Sequence, residues 1–189
     1  MDHTQDRGLV LDPDSDIFKV DAYPDANFSG IYRHKNTDDP ACAKIRTGFI
    51  IKFSDCPVLW ISKFQNETSL STTEAHKIAL AHCFTELFPI INITQLLGKS
   101  VGIPFGVPLI KMSVHEDNDS ALILSRTLTP KITPCSNYYA TKMIWFREET
   151  NKRKIALLKI ETADQLRYYF TKDLPRATLE YLRNKIMDW

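Results

Sequence analysis

Carboxylates gather at two places in this sequence where a fixed backbone could aim them. Glu116-Asp117-Asn118-Asp119 follows an apolar run at 108–115 that reads as a buried strand, so acidic residues collect at a strand terminus. Asp21 and Asp25 lie within 17–28, a β-branched and aromatic stretch that reads as a first strand, in which Pro24 favours a sheet edge or an irregularity. Carboxylate oxygens are the ligands that hard divalent cations such as Mg²⁺ take in near-octahedral sets. Softer metal chemistry has less support. Cys42, Cys56, Cys83 and Cys135 form no C-x-x-C pair, and the histidines stand at no recognisable ligand spacing. This argues against a zinc ribbon and a dense disulfide framework, and fits a reducing compartment.

The elements that must position these groups can be read in order. Asp38-Asp39-Pro40 gives a turn, and two short apolar runs at 47–53 and 58–62 are separated by Ser54-Asp55-Cys56-Pro57, a hairpin joined to the first strand. Ser71-Thr72-Thr73-Glu74 matches a capping box and predicts a long helix. His76, Leu80, Cys83, Leu87 and Ile90 then recur on one helical face that packs on the sheet, with a kink at Pro89 and an end at Gly98. After the strand at 108–115 come a short helix at 120–125, a helix at 136–149 with Tyr139, Met143 and Phe146 in phase, and a last strand at 155–160. Two short helices at 163–172 and 177–187 close the chain. This order predicts an α/β fold, a mixed five-stranded sheet flanked by helices.

A chain of 189 residues, 43% hydrophobic, suits one domain with one sizeable core. Residues 1–8 are polar and acidic, with neither a signal peptide nor a membrane span, which predicts a soluble intracellular protein, cytoplasmic or nuclear and not secreted. The N-x-[ST] matches at Asn27, Asn66, Asn92 and Asn118 are therefore read as chance. The net charge of +1 hides an asymmetry: residues 1–40 carry 4 Lys/Arg against 9 Asp/Glu, and residues 131–189 carry 12 against 7. The basic end either faces phosphate or consists of solvated helix faces, and composition alone leans to the second.

Several segments follow, in order, the motifs of one known family. Tyr23-Pro24-Asp25-Ala26-Asn27-Phe28-Ser29-Gly30 resembles Y-x-D-A-D-W-A-G. Lys44-Ile45-Arg46-Thr47-Gly48-Phe49 is similar to K-S-R-T-G-Y, and Trp60-Ile61-Ser62-Lys63-Phe64-Gln65 to W-x-S-K-x-Q, ahead of Leu70-Ser71-Thr72-Thr73-Glu74-Ala75. His115-Glu116-Asp117-Asn118-Asp119-Ser120-Ala121 is similar to H-E-D-N-x-x-A. Asp164-Gln165-Leu166, with Phe170-Thr171-Lys172-Asp173-Leu174-Pro175, is similar to D-Q-L-A-D-I-F-T-K-x-L-P. In this order the segments resemble the copia-type ribonuclease H domain, the C-terminal part of a retrotransposon Pol polyprotein, and Gly8-Leu9-Val10-Leu11 resembles the stretch that follows its reverse transcriptase. The resemblance implies a linker remnant at 1–16, a ribonuclease H-like domain at 17–189, and a place after a reverse transcriptase domain.

It also implies a chemistry: hydrolysis of RNA in RNA–DNA hybrids by two divalent metals roughly 3.5–4 Å apart, held by four carboxylates. Asp25 and Asp117 occupy two of those positions and are the retained metal ligands. The other two hold His76 and Tyr168. Mg²⁺ binding, with Mn²⁺ as the alternative ion, is therefore expected to be weak or absent, and hydrolysis impaired. Glu74 points about 200° away from His76 and serves as cap. Asp164 lies one helical turn before Tyr168, displaced by about 6 Å along the axis; Asp119 starts the next helix, and Asp21 is an exposed strand or turn residue. His76 is read first as packed and hydrogen-bonded, with ligation of Mn²⁺ or Zn²⁺ beside Asp25 as the other reading. Tyr168 is read as a core or rim aromatic whose hydroxyl lies near Asp117. The competing function is a non-catalytic module that binds an RNA–DNA hybrid or other nucleic acid weakly, through some of Lys142, Lys152, Arg153, Lys154 and Lys172, or docks on a reverse transcriptase domain.

Overall fold

In the computed structural model the described residues are 8–12, 18–27, 45–66, 69, 71–102, 110–119, 122, 137–161 and 164–187. Five strands form one sheet in the order β3-β2-β1-β4-β5: β1 is Phe18–Asn27, β2 Arg46–Phe53, β3 Cys56–Phe64, β4 Ile110–Glu116 and β5 Ala156–Lys159. β1, β2 and β3 run antiparallel in sequence, whereas β4 lies parallel to β1 and β5 parallel to β4. The sheet is thus mixed, as expected. Ser54 and Asp55, with φ of 46° and 66°, make the two-residue hairpin between β2 and β3, where positive φ at both positions matches the strand twist.

The helices are α1 (Thr72–Ser100), α2 (Asn137–Arg153), α3 (Tyr168–Thr171) and α4 (Arg176–Met187). Period-2 alternation in the strands feeds two cores. Val20, Ala22, Phe49, Ile51 and Val114 face α1 and α2 through Leu80, Cys83, Phe84, Leu87, Ile91 and Phe146. Ile50 faces the other way, onto Leu166, Tyr168, Leu182 and Ile186 of the α3–α4 layer. Each fully buried Phe or Leu here contributes about 1.5–3 kcal/mol. By length and composition alone α1 would suffice to cross a bilayer, but its buried stripe makes it the core helix of this fold.

Several expected boundaries move. α1 runs unbroken past the exposed Pro89 and past Gly98, which is buried within the helix; the turn beyond it uses Gly102 at φ 72°. A left-handed residue is what stops a helix, and Gly98 supplies none. The helix expected at 163–172 shrinks to four residues, because Gln165, Leu166 and Arg167 all turn inward and their backbone follows the core instead of one axis. Pro24 is buried in a central strand. It lies two residues beyond Ala22↔Val114, the last β1–β4 pair, so its missing N–H costs that ladder nothing. The turn at 38–40, most of the 120–125 segment, most of the 1–16 linker, and the side chains of Tyr139, Lys142 and Met143 lie outside the described residues.

Candidate functional site: a buried carboxylate–arginine cluster

The parallel register of β1 and β4 builds the site. Ala22 pairs with Val114, so three further residues on each strand bring Asp25 and Asp117 level at the carboxyl ends, just where the two strands have stopped pairing. Crevices outside the carboxyl ends of strands are where α/β sheets bind ligands. Asp25 is 1% exposed, and facing it on β2 is Gly48, whose missing side chain lets α3 approach: a Cβ there would lie 2.5 Å from Thr171 Cγ2. Glu116 shares the strand parity of Val114, which turns it toward α1; Asp117 follows with the opposite parity.

Into this crevice comes Arg167, fully buried ahead of α3. Its Nη2 donates to Asp117 Oδ1, its Nη1 to Glu116 Oε1 at 3.3 Å, and its Nε lies 3.5 Å from Asp25 Oδ1. The guanidinium therefore spans three carboxylates. Tyr168 donates its hydroxyl to the other oxygen of Asp117, and Thr171 Oγ1 donates to Asp25 Oδ2 at 2.5 Å. Glu116 Oε1 also meets His76 Nδ1 at 3.2 Å and accepts from the Asn118 amide at 3.1 Å, while Glu116 Oε2 has no partner among the described residues. His76 Nε2 stands 3.9 Å from Asp25 Oδ1.

These contacts set the charge states. Burial works against the Asp117 anion, but Arg167 and the Tyr168 hydroxyl outweigh it and hold its pKa below the usual 3.8. Burial likewise works against the Arg167 cation, and Glu116, Asp25 and Asp117 together reverse the effect. The Tyr168 phenol is pushed up by burial first and by Asp117 second, so it stays a donor.

One ligand atom each from Asp25, His76 and Asp117 lies within 4.8 Å of the other two, a grouping that could hold a metal ion. A pair of Mg²⁺ ions does not fit. Each would need several oxygens in octahedral array, and here both oxygens of Asp117 accept from protein donors while a fixed cation already lies among the carboxylates.

The structure brings Asp25, Asp117, His76 and Tyr168 together, with the Tyr168 hydroxyl on Asp117 as expected. His76 is packed and hydrogen-bonded. Asp164 turns away to Lys185 Nζ at 2.5 Å and Tyr181 at 2.8 Å, because no continuous helix keeps it in phase with Tyr168. Asp21 is not an exposed turn residue; it is largely covered and bonded to His115 Nε2 at 2.9 Å, its strand being central. Asp119 begins a helical turn and pairs with Lys159. Lys172 adjoins the cluster, its Nζ 3.3 Å from the centre of the Tyr168 ring. Lys152, Arg153 and Lys154 precede β5, at the end of the sheet opposite the cluster, since β5 runs parallel to β4. Arg153 is engaged by Glu149 and Asn92. Arg167 and Glu116 were not among the expected site residues. The signal for Arg167 was its place in Gln165-Leu166-Arg167-Tyr168, where Q-L-A-D has alanine; for Glu116, it was the acidic pair of H-E-D-N.

No family model matches the chain. It is 29% identical over 170 residues, 87% of its length, to the retrovirus-related Pol polyprotein from transposon TNT 1-94 of Nicotiana tabacum. It is 27% identical over 183 residues, 97% of its length, to that from transposon RE2 of Arabidopsis thaliana. The chain spans about 11% of the length of each of these relatives. Among solved structures, a ribonuclease H1 isolated from compost by a metagenomic approach superposes with a TM-score of 0.51 at 15% identity, covering 90% of this chain and 96% of that one. Along nearly its whole sequence the chain is thus similar to a stretch of the retrovirus-related Pol polyproteins of plant transposons, and it shares the fold of a ribonuclease H1.

Proposed function

We propose that this is a ribonuclease H-like domain of transposon origin in which Mg²⁺-dependent hydrolysis of RNA in RNA–DNA hybrids is lost. The observation that carries the reading is Arg167, whose guanidinium is bonded to Glu116 and Asp117 and lies beside Asp25 in the crevice between β1 and β4. A two-metal mechanism uses the cations to activate water and to stabilise the leaving oxygen. An arginine held by three carboxylates presents no open coordination position and activates no water. His76 and Tyr168 remove two further anionic ligands from the positions where the family resemblance implies carboxylates.

The test is a hybrid-cleavage assay with Mg²⁺ and with Mn²⁺, comparing the chain with the triple replacement His76→Glu, Arg167→Ala and Tyr168→Asp. The triple variant should gain at least ~100-fold, the scale lost when one transition-state group is removed. Single replacements should recover little, because groups acting as a unit are strongly non-additive. Cleavage by the unmodified chain at the rate of the triple variant would overturn the reading.

A second reading, nucleic-acid binding without cleavage, is favoured by the cation–aromatic pairs on the α3–α4 side of the sheet. Lys172 stacks on Tyr168, and Arg46 lies 4.4 Å from the centre of the exposed Phe64 ring. Cations beside aromatic faces suit a phosphate backbone and unstacked bases. Docking on a reverse transcriptase domain is the corresponding proposal for a protein partner.

A further inference from the structure

We infer that Arg167 is the resident cation of the crevice, folded in where a divalent ion would otherwise sit, and that removing it opens a site for one transition-metal ion on Asp25, Asp117 and His76, with the Glu116 anion beside it. The inference rests on the functional reading above and extends it from lost hydrolysis to the binding preference of the site.

Three observations carry it. Two of the guanidinium nitrogens donate to carboxylates, Nη2 to Asp117 and Nη1 to Glu116 at 3.3 Å, while Nε lies 3.5 Å from Asp25 without a hydrogen bond. A cation so surrounded meets the charge requirement of the buried anions that a metal would otherwise meet. A divalent ion on the same oxygens would face like-charge repulsion from it at close range. Second, the ligand atoms of Asp25, His76 and Asp117 lie within 4.8 Å of one another, so shifts of about 1 Å would bring them to the ~2.0–2.2 Å reach of one metal. Third, Glu116 is 1% exposed and its Oε2 has no hydrogen-bond partner among the described residues, a buried oxygen in need of a cation or donor.

The donor set also selects the ion. Two carboxylates with one imidazole suit Mn²⁺ or Zn²⁺ better than Mg²⁺, which dehydrates reluctantly and keeps several waters. Tyr168 and Thr171 already donate to Asp117 and Asp25, which leaves these carboxylates fewer acceptor positions for such waters.

The experiment follows free Mn²⁺ by electron paramagnetic resonance, whose signal falls when the ion is bound, in titrations of four proteins: the unmodified chain, Asp25→Asn, Arg167→Met and Arg167→Lys. The unmodified chain should bind no more Mn²⁺ than Asp25→Asn does. Arg167→Met, checked for its fold by circular dichroism, should bind one equivalent at least ~10-fold more tightly than the unmodified chain, and its melting temperature should rise with added Mn²⁺. Arg167→Lys, which keeps the charge, should stay unresponsive. Uptake of one equivalent by the unmodified chain that is lost in Asp25→Asn would overturn the inference even if Arg167→Met failed to fold. A folded Arg167→Met that takes up no ion would overturn it as well. An unmodified chain that binds Mn²⁺ yet cleaves nothing would sink this inference and leave the functional reading standing.

Discussion

A guanidinium without solvent contact must be held by its partners, since the cost of stripping water from an ion amounts to several kcal/mol even after relaxation. Arg167 meets that cost with three carboxylates, and each of them in turn depends on it. Truncation to Arg167→Met should therefore lower the unfolding free energy by about 3–5 kcal/mol at neutral pH, the range found when one partner of a buried pair is removed. In a double-mutant cycle with Asp117→Asn, the two losses should fall short of additive by about 1–3 kcal/mol. The sign of the pH dependence follows from Asp117, whose folded pKa is depressed. The coupling is present above the usual 3.8 of the unfolded carboxyl and disappears as the pH falls below it through the folded value. A coupling that persisted unchanged in acid, followed by denaturant titration at several pH values, would contradict the pairing. At this scale the sequence was half legible. Asp25, Asp117, His76 and Tyr168 could be placed through the family resemblance, because each stands at a fixed place within one of its quoted motifs. Arg167 could not, because a charged residue beside a replaced carboxylate reads as a surface residue until the chain around it is seen to turn inward.

The elements meet at Gly48. β2 is hydrogen-bonded on both edges, and α3 sits on its face closely enough that a Cβ at Gly48 would come within 2.5 Å of Thr171 Cγ2 and 3.3 Å of Phe170 Cβ. That close approach is what seats Thr171 over Asp25 and, four residues earlier, Arg167 in the crevice. Gly48→Ala should destabilise by about 1–3 kcal/mol through overpacking. Adding Thr171→Ser, which removes the methyl and keeps the hydroxyl on Asp25, should recover at least half of the loss in a thermal or denaturant melt. No recovery would mean that the close approach is not what limits position 48. The long elements followed from pattern: the stripe from His76 to Leu87 is the buried face of α1, and the alternation in β1 and β2 sorts their residues onto the two cores. Short elements did not follow. Four residues of α3 carry no period, and the inward turn of Gln165 and Arg167 is set by tertiary partners, the Gln165 amide donating to the His115 carbonyl at 3.3 Å.

Across the whole molecule, charge is unevenly spread in sequence, but position in the fold decides which cations could meet a duplex lying over the cluster. The parallel register of β4 and β5 puts Lys152, Arg153 and Lys154 at the far end of the sheet, and Arg153 is already engaged by Glu149 and Asn92. Arg46 and Lys172 lie instead on the side of α3: Arg46 donates to Ser62 at 3.1 Å, and Ser62 donates to the Phe170 carbonyl at 2.7 Å. If nucleic acid is bound on this face, the affinity of a labelled RNA–DNA hybrid should fall with salt. Lys172→Glu together with Arg46→Gln should then flatten the log–log salt slope by about one for each phosphate that is no longer neutralised. Lys152→Glu together with Lys154→Glu should leave that slope nearly unchanged. The reverse pattern would move the binding surface to the β5 end, where the expectation drawn from the basic C-terminal third would stand. A slope of zero for the unmodified chain at low salt would remove the nucleic-acid reading altogether and leave a protein partner, the remainder of such a polyprotein, as the occupant to test.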